Sequence, residues 1–152
     1  MSVYNRLMTP VELYDRDFYQ WAVRNAELLR SGKMAEADIA HIAEELEDMG
    51  KSEKRELGNR LIKLITHLLK YRMQPRRRSR SWRVTIASQR IAIGQLLGDN
   101  PSLAAGLEQA VADVYRPAVR LAAAETDVPA EELPQSCPFT AAQILDEDYL
   151  PQ

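Results

Sequence analysis

The chain has 152 residues, 45% of them apolar and 28% charged, with a formal net charge of -2. That length makes one domain with a hydrophobic core, and that balance is ordinary for a globular protein and argues against disorder. A lone cysteine, Cys137, excludes an internal disulfide, and no apolar run approaches the ~20 residues that cross a bilayer. The N-terminal stretch MSVYNRLMTPVELYDRDF lacks the charged-then-apolar order of a secretory signal, so a cytoplasmic protein with no membrane segment is expected.

The first predicted helix covers residues 15–31. Phe18, Trp21, Ala22, Leu28 and Leu29 share one face, Asp15 and Asp17 suit the positive N-terminal end, and Gly32 offers a left-handed stop. A second begins near Asp38 and turns Ile39, Ile42, Ala43, Leu46 and Met49 inward. Gly50 looks like its end, yet Leu57, Leu61, Leu64 and Leu68 stay in phase with Ile39 at 100° per residue. The pattern favours one long or bent helix over 38–72, with two helices split at Gly50 and Ser52 as the alternative.

Pro75 ends that run, and a third helix is predicted from Ser81 to about Leu97. Trp82, Ile86, Gln89, Ile93, Leu96 and Leu97 form its core face, while Val84 and Ile91 lie opposite and suit a second covering or a dimer. Asn100 and Pro101 are the cap and first turn of a fourth helix. Its core face is Leu103, Leu107, Val111, Val114, Ala118 and Leu121, with a kink expected at Pro117. After Glu125 four of the eight prolines punctuate short helical pieces, with Thr140 capping one through Leu145. Phe139, Ile144, Leu145 and Tyr149 should tack this tail onto the rest. The expected fold is all-α: a helical bundle of about four main helices, one long or bent, with a Pro-rich C-terminal tail of short helices. It forms a single helical domain over 1–152, with the core bundle at about 15–126 and the wrapped tail at 127–152.

Charge is strongly segregated along the chain. Residues 1–50 carry five Lys/Arg against ten Asp/Glu, 51–90 carry thirteen against two, and 91–152 carry two against ten. A basic middle between acidic arms either closes on itself or faces an anionic partner. Its apex is YRMQPRRRSRSW, and the anion-binding candidates are Arg76, Arg77, Arg78, Arg80, Arg83 and Arg90. Guanidinium groups around a helix N-terminus suit phosphate or carboxylate, because the first N–H groups of a helix lack internal partners. The bland alternative is pairing with this chain's own acidic helices.

Other chemistry is thinner. DIAHIAEELED sets His41 near Asp38, Glu44 and Glu45, but His67 has no carboxylate three or four residues before it, so a di-iron set is incomplete. On the helical wheel Asp38, His41, Glu45 and Asp48 lie opposite Ile39 and Leu46, toward water. His67 sits among Arg60, Lys63 and Lys70, which disfavour its protonation and leave it free to accept a proton. Cys137, before Pro138, has no basic neighbour in sequence to lower its pKa and reads as a structural thiol. Neither a G-x-S-x-G elbow nor a glycine-rich phosphate loop is present. No metal and no cofactor are expected.

The order of DRDFYQWAVRNAELLRSG, DIAHIAEELEDMGKSEKREL, LITHLLKYRMQP, RSRSW, QR, NPSL and CPFT…ILDEDYLP resembles the bacterial proteins grouped as domain of unknown function 29. The likeness runs from about Tyr14 to Pro151. It implies an all-helical fold and a bacterial origin, and no activity. Asp17, Trp21, Asp38, Glu44, Glu45, His67, Ser81, Trp82 and Arg90 match the family pattern, with no role attached. The leading expectation is a non-enzymatic binding or regulatory module whose Arg-rich helix-turn meets nucleic acid or another polyanion. A second is a protein-interaction or oligomerising module in which that turn is structural and copies join through Val84 and Ile91 or the tail, an acidic protein being a separate candidate partner for the arginines. A third is an enzyme with an acidic/His site drawn from Asp38, Glu44, Glu45 and His67.

Overall fold

The computed structural model describes residues 8–152, so the first seven residues of the stretch read for a secretory signal lie outside the described residues. Among those described, the chain forms seven α-helices and no strand, as the all-α expectation requires. They are α1 (Pro10–Arg16), α2 (Phe18–Arg30), α3 (Ile39–Met73), α4 (Arg80–Asp99), α5 (Pro101–Ala105), α6 (Leu107–Thr126) and α7 (Ala141–Leu145). The chain divides into two compact units, one through Ser52 and the other Glu53–Gln152. No described helix is long and apolar enough to cross a membrane.

The first unit corrects two expectations. The helix drawn over 15–31 is two helices that meet at Asp17, whose own N–H closes α1 while its carboxylate caps Gln20 N–H of α2. α1 is opened by a capping box, Thr9 and Glu12 each bonding the other's backbone N–H, with Pro10 in the first turn. Gly32, at φ 72°, ends α2 as expected, in a Schellman motif. Lys33 N–H bonds the Leu28 carbonyl and Gly32 N–H that of Leu29.

The inward face is the second correction. Trp21, Leu28 and Leu13 are buried, but Phe18 and Leu29 are exposed, as is Ala22. In the first turns of α3 the reading is reversed: Ile39, Leu46 and Met49 are 45%, 61% and 65% exposed, whereas Asp38 is 4% exposed. Ala43 is exposed and Ile42 half-buried. The cause is the Trp21 indole. Once buried, its N–H requires an acceptor, and the Asp38 carboxylate supplies one at 3.0 Å. That bond turns the polar side of α3 toward α2.

The second unit holds the main core. Leu57, Leu61, Leu64, Ile65, Leu68 and Leu69 of α3 pack with Ile86 and Ile93 of α4, Val111, Tyr115, Ala118 and Ala122 of α6, and Phe139 and Ile144 of the tail. Full burial of a Leu or Ile side chain contributes about 1.5–3 kcal/mol, so this cluster dominates the unit's stability. α3 runs unbroken through Gly50, so the one-helix reading holds. α4 starts one residue earlier than expected, on a Ser79 cap that accepts from Trp82 N–H.

The fourth predicted helix is interrupted at Gly106, giving α5 and α6. Asn100 precedes α5 without capping it through its side chain, which donates instead to the Leu96 carbonyl. Leu121, expected inside, is 43% exposed, and Tyr115 and Ala122 take the core positions. Pro117 lies within the continuous α6. The tail behaves as read: Thr140 and Gln143 form a capping box for α7, and Phe139, Ile144, Leu145 and Tyr149 pack on the core.

Candidate functional site

Sequence puts six arginines between the end of α3 and the middle of α4, and the fold separates them into two groups. Pro75–Arg77 make one 3-10 turn, Ser79 caps α4, and Arg76, Arg77, Arg80 and Arg83 project as exposed side chains. Arg78 turns back on the fold. Its Nε donates to the Tyr71 carbonyl at 2.7 Å and its Nη2 to that of Pro151 at 3.2 Å, with the guanidinium 4.4 Å over the Tyr71 ring. One side chain thus ties the end of α3, the turn and the chain terminus together.

Arg90 is the second inward arginine, only 5% exposed. Its Nε, Nη1 and Nη2 donate to the carbonyls of Ile144, Tyr149 and Gln143 at 2.8, 2.8 and 3.1 Å. These oxygens lie at the end of α7 and in the segment after it, where helical partners run out. Burial lowers the Arg90 pKa, and Asp146 and Glu147 oppose that shift. By sequence Arg83 and Arg90 are both anion-binding candidates. The tail covers Arg90 and leaves Arg83 in water.

Beside the turn, Lys70 is also inward-facing. Its Nζ meets Glu125 at 2.8 Å and lies 4.8 Å from the centroid of the Trp82 ring, so Trp82 is half-buried under a cation. Among the described residues, Arg76, Arg77, Arg80 and Arg83 have no ion-pair partner within 4.0 Å. They therefore present four guanidinium groups, two on a turn held in place by Arg78 and two on the start of α4.

The acidic and histidine candidates fall into separate places. In the first unit, Asp38 accepts from Trp21 Nε1 and lies 2.6 Å from His41 Nδ1, while its own N–H donates to Asn25 Oδ1 at 2.8 Å. Burial opposes ionisation of Asp38, but the bonds from Trp21 and His41 outweigh it and hold the pKa below the ordinary carboxylate value. Tyr14 stacks on His41, centroids 3.8 Å apart, and donates its hydroxyl to Glu45. That bond is the main cause pushing the Tyr14 pKa up to about 12. Asp38 is thus buried where the helical wheel turned it to water, His41 and Glu45 are half-buried, and Asp48 is exposed as expected. Glu44 is exposed.

His67 belongs to the second unit and lines an open groove of ≈ 410 Å³ with Asn59, Ile62, Lys63, Leu121 and Glu125. Its Nδ1 lies 2.8 Å from the Lys63 carbonyl, which fixes that nitrogen as the donor and leaves Nε2 as the acceptor. Burial lowers its pKa, helped by Lys70 and Lys63, in the direction the surrounding charges suggested. Cys137 is half-buried, its Sγ donating to the Phe139 carbonyl, and burial raises its pKa. Among the described residues, no group of three His, Cys, Asp or Glu side chains is placed to hold a metal.

Several matched positions thereby acquire structural roles: Asp17 caps α2, Trp21 and Asp38 bond each other, Glu45 accepts from Tyr14, and Arg90 fastens the tail. Sequence reasoning missed the half-buried Tyr14 and the buried Asn25 as parts of this network. A buried tryptophan's need for an acceptor was the signal available for its centre. No curated protein and no solved structure matches this chain. The family model described as Domain of unknown function DUF29 matches residues 13–150, nearly the whole chain, and the chain belongs to that family.

Proposed function

We propose that the protein is a non-enzymatic binding module that uses the turn between α3 and α4 to hold a polyanion, with nucleic acid as the leading class. The observation that carries this reading is the set of four exposed guanidinium groups, Arg76, Arg77, Arg80 and Arg83, without ion-pair partners among the described residues. Arg78 supports it by fixing the turn from behind, so less conformational entropy is lost when an anion is bound. Guanidinium forks match phosphate oxygens in geometry and remain charged at any physiological pH.

The test is fluorescence anisotropy with short labelled duplex DNA, single-stranded DNA and RNA across a salt series. Up to four neutralised phosphates give a log–log salt slope of about -3 to -4 on duplex DNA. Arg76→Glu/Arg77→Glu should abolish binding while leaving the helical circular dichroism unchanged. Absent binding, or binding indifferent to salt, would refute the proposal.

A further inference from the structure

The outer face of α4 is unusual for a surface helix. At 100° per residue, Val84, Ala87, Ser88, Ile91, Gly94, Gln95 and Gly98 fall within about 80° of the Val84 direction. All seven are exposed and none is charged. Val84 and Ile91 are 57% and 56% exposed. Nothing lies within 4 Å of where a Cβ would stand at Gly94 or Gly98, so another backbone can approach there closely.

Charge appears on this face only at its ends, and with opposite signs. The basic turn and Arg80 stand at the N-terminal end. At the C-terminal end is exposed Asp99, joined by Glu53, whose carboxylate accepts from Asn100 Nδ2 at 3.5 Å. The helix dipole works against this arrangement, placing partial positive charge beside the arginines and partial negative charge beside the acids. A parallel copy would set arginines against arginines. An antiparallel copy relieves both problems at once.

We infer that α4 is the interface of a two-fold antiparallel homodimer, with the axis passing between Ala87 and Ser88. In that register Val84 of each copy meets Ile91 of the other, and the small residues Ala87 and Ser88 lie at the crossing. The basic turn at Arg76 and Arg77 then comes beside Asp99 and Glu53 of the second copy. Two-fold pairing is the commonest way for one face to satisfy itself. Four exposed guanidinium groups against two carboxylates leave a basic surplus at each end, so the dimer does not depend on anion binding.

The experiment uses the full chain. Sedimentation velocity from micromolar to several hundred micromolar should show a dimer. Val84→Glu/Ile91→Glu should raise its dissociation constant roughly 100-fold or more, because it places charges in the apolar centre. Both residues are exposed, so unchanged circular dichroism will confirm an intact fold. The orientation is read by cysteine cross-linking in a Cys137→Ser background. Ser88→Cys should cross-link between copies with a short bis-maleimide. Gly98→Cys should not, since the two positions lie about 30 Å apart along antiparallel helices at 1.5 Å per residue. A monomer throughout, a dimer untouched by the double substitution, or equal cross-linking at both positions would each overturn the inference.

Discussion

Replacing Arg90 with methionine keeps an apolar stem on α4 and removes the three donors that hold the tail. The guanidinium bonds the carbonyls of Gln143, Ile144 and Tyr149, and a hydrogen bond to a charged group contributes about 1.5 kcal/mol at the low end. Three of them give a loss of about 4.5 kcal/mol if the acceptors stay buried. The loss is smaller if the tail peels away and its carbonyls find water, because the cost then stops at the free energy of docking the tail. For a chain of this size a loss of about 4.5 kcal/mol lowers Tm by roughly 9–18 °C. Urea denaturation measures the global loss, and amide exchange over residues 141–151 separates the two outcomes. Arg90→Lys should recover less than half, since one ammonium cannot reach three carbonyls spread over seven residues. A loss below about 1 kcal/mol with the tail still protected would show that Arg90 does not fasten it.

Gly50→Ala should stabilise the protein by about 1 kcal/mol in thermal melts, since Gly50 lies within α3 with nothing near its missing Cβ. Trp21→Phe should cost about 1–3 kcal/mol in urea denaturation, because it keeps a ring but leaves the Asp38 carboxylate one donor short. Stability should also fall on acidification, in two stages. The folded pKa of His67 is below its ordinary 6.5, so its contribution is complete above that pH and is lost as pH falls through the folded value. Asp38, also lowered from its ordinary 3.8, contributes above that value and loses its contribution at still lower pH. Denaturation midpoints from pH 8 to pH 3 check both, and His67→Gln should remove the upper stage alone.

The family pattern and the helical periodicity were legible because both are local properties of the chain. The phase relation between Ile39 and Leu57 already favoured an unbroken α3, and Thr140 already marked the start of α7. The Thr9–Glu12 capping box and Pro10 also stood in the sequence, and they were the signal for α1. The arginine cluster was legible as charge, but its division was not. Arg78 and Arg90 have the same chemistry as Arg77 and Arg83, and only their acceptors differ. Those acceptors lie 7 to 73 residues away along the chain.

What the sequence determined by itself is helix: where α2, α3, α4 and the tail helix lie, and that a basic middle separates two acidic arms. These follow from side-chain spacing, capping chemistry and composition, which act within a few residues. What only the tertiary structure decided is which side of α2 and of the first turns of α3 is covered, whereas the covered faces of α4 and of the second half of α3 were already in the periodicity. Wheel geometry ranks the faces of α3 by hydrophobicity and so points Ile39 and Leu46 inward. In the fold the buried Trp21 indole donates to Asp38, and Ile39 and Leu46 are left exposed. The arginines divide by the partners on offer: a guanidinium turns inward where the end of a helix leaves carbonyls in need of donors, and stays in water where none is offered.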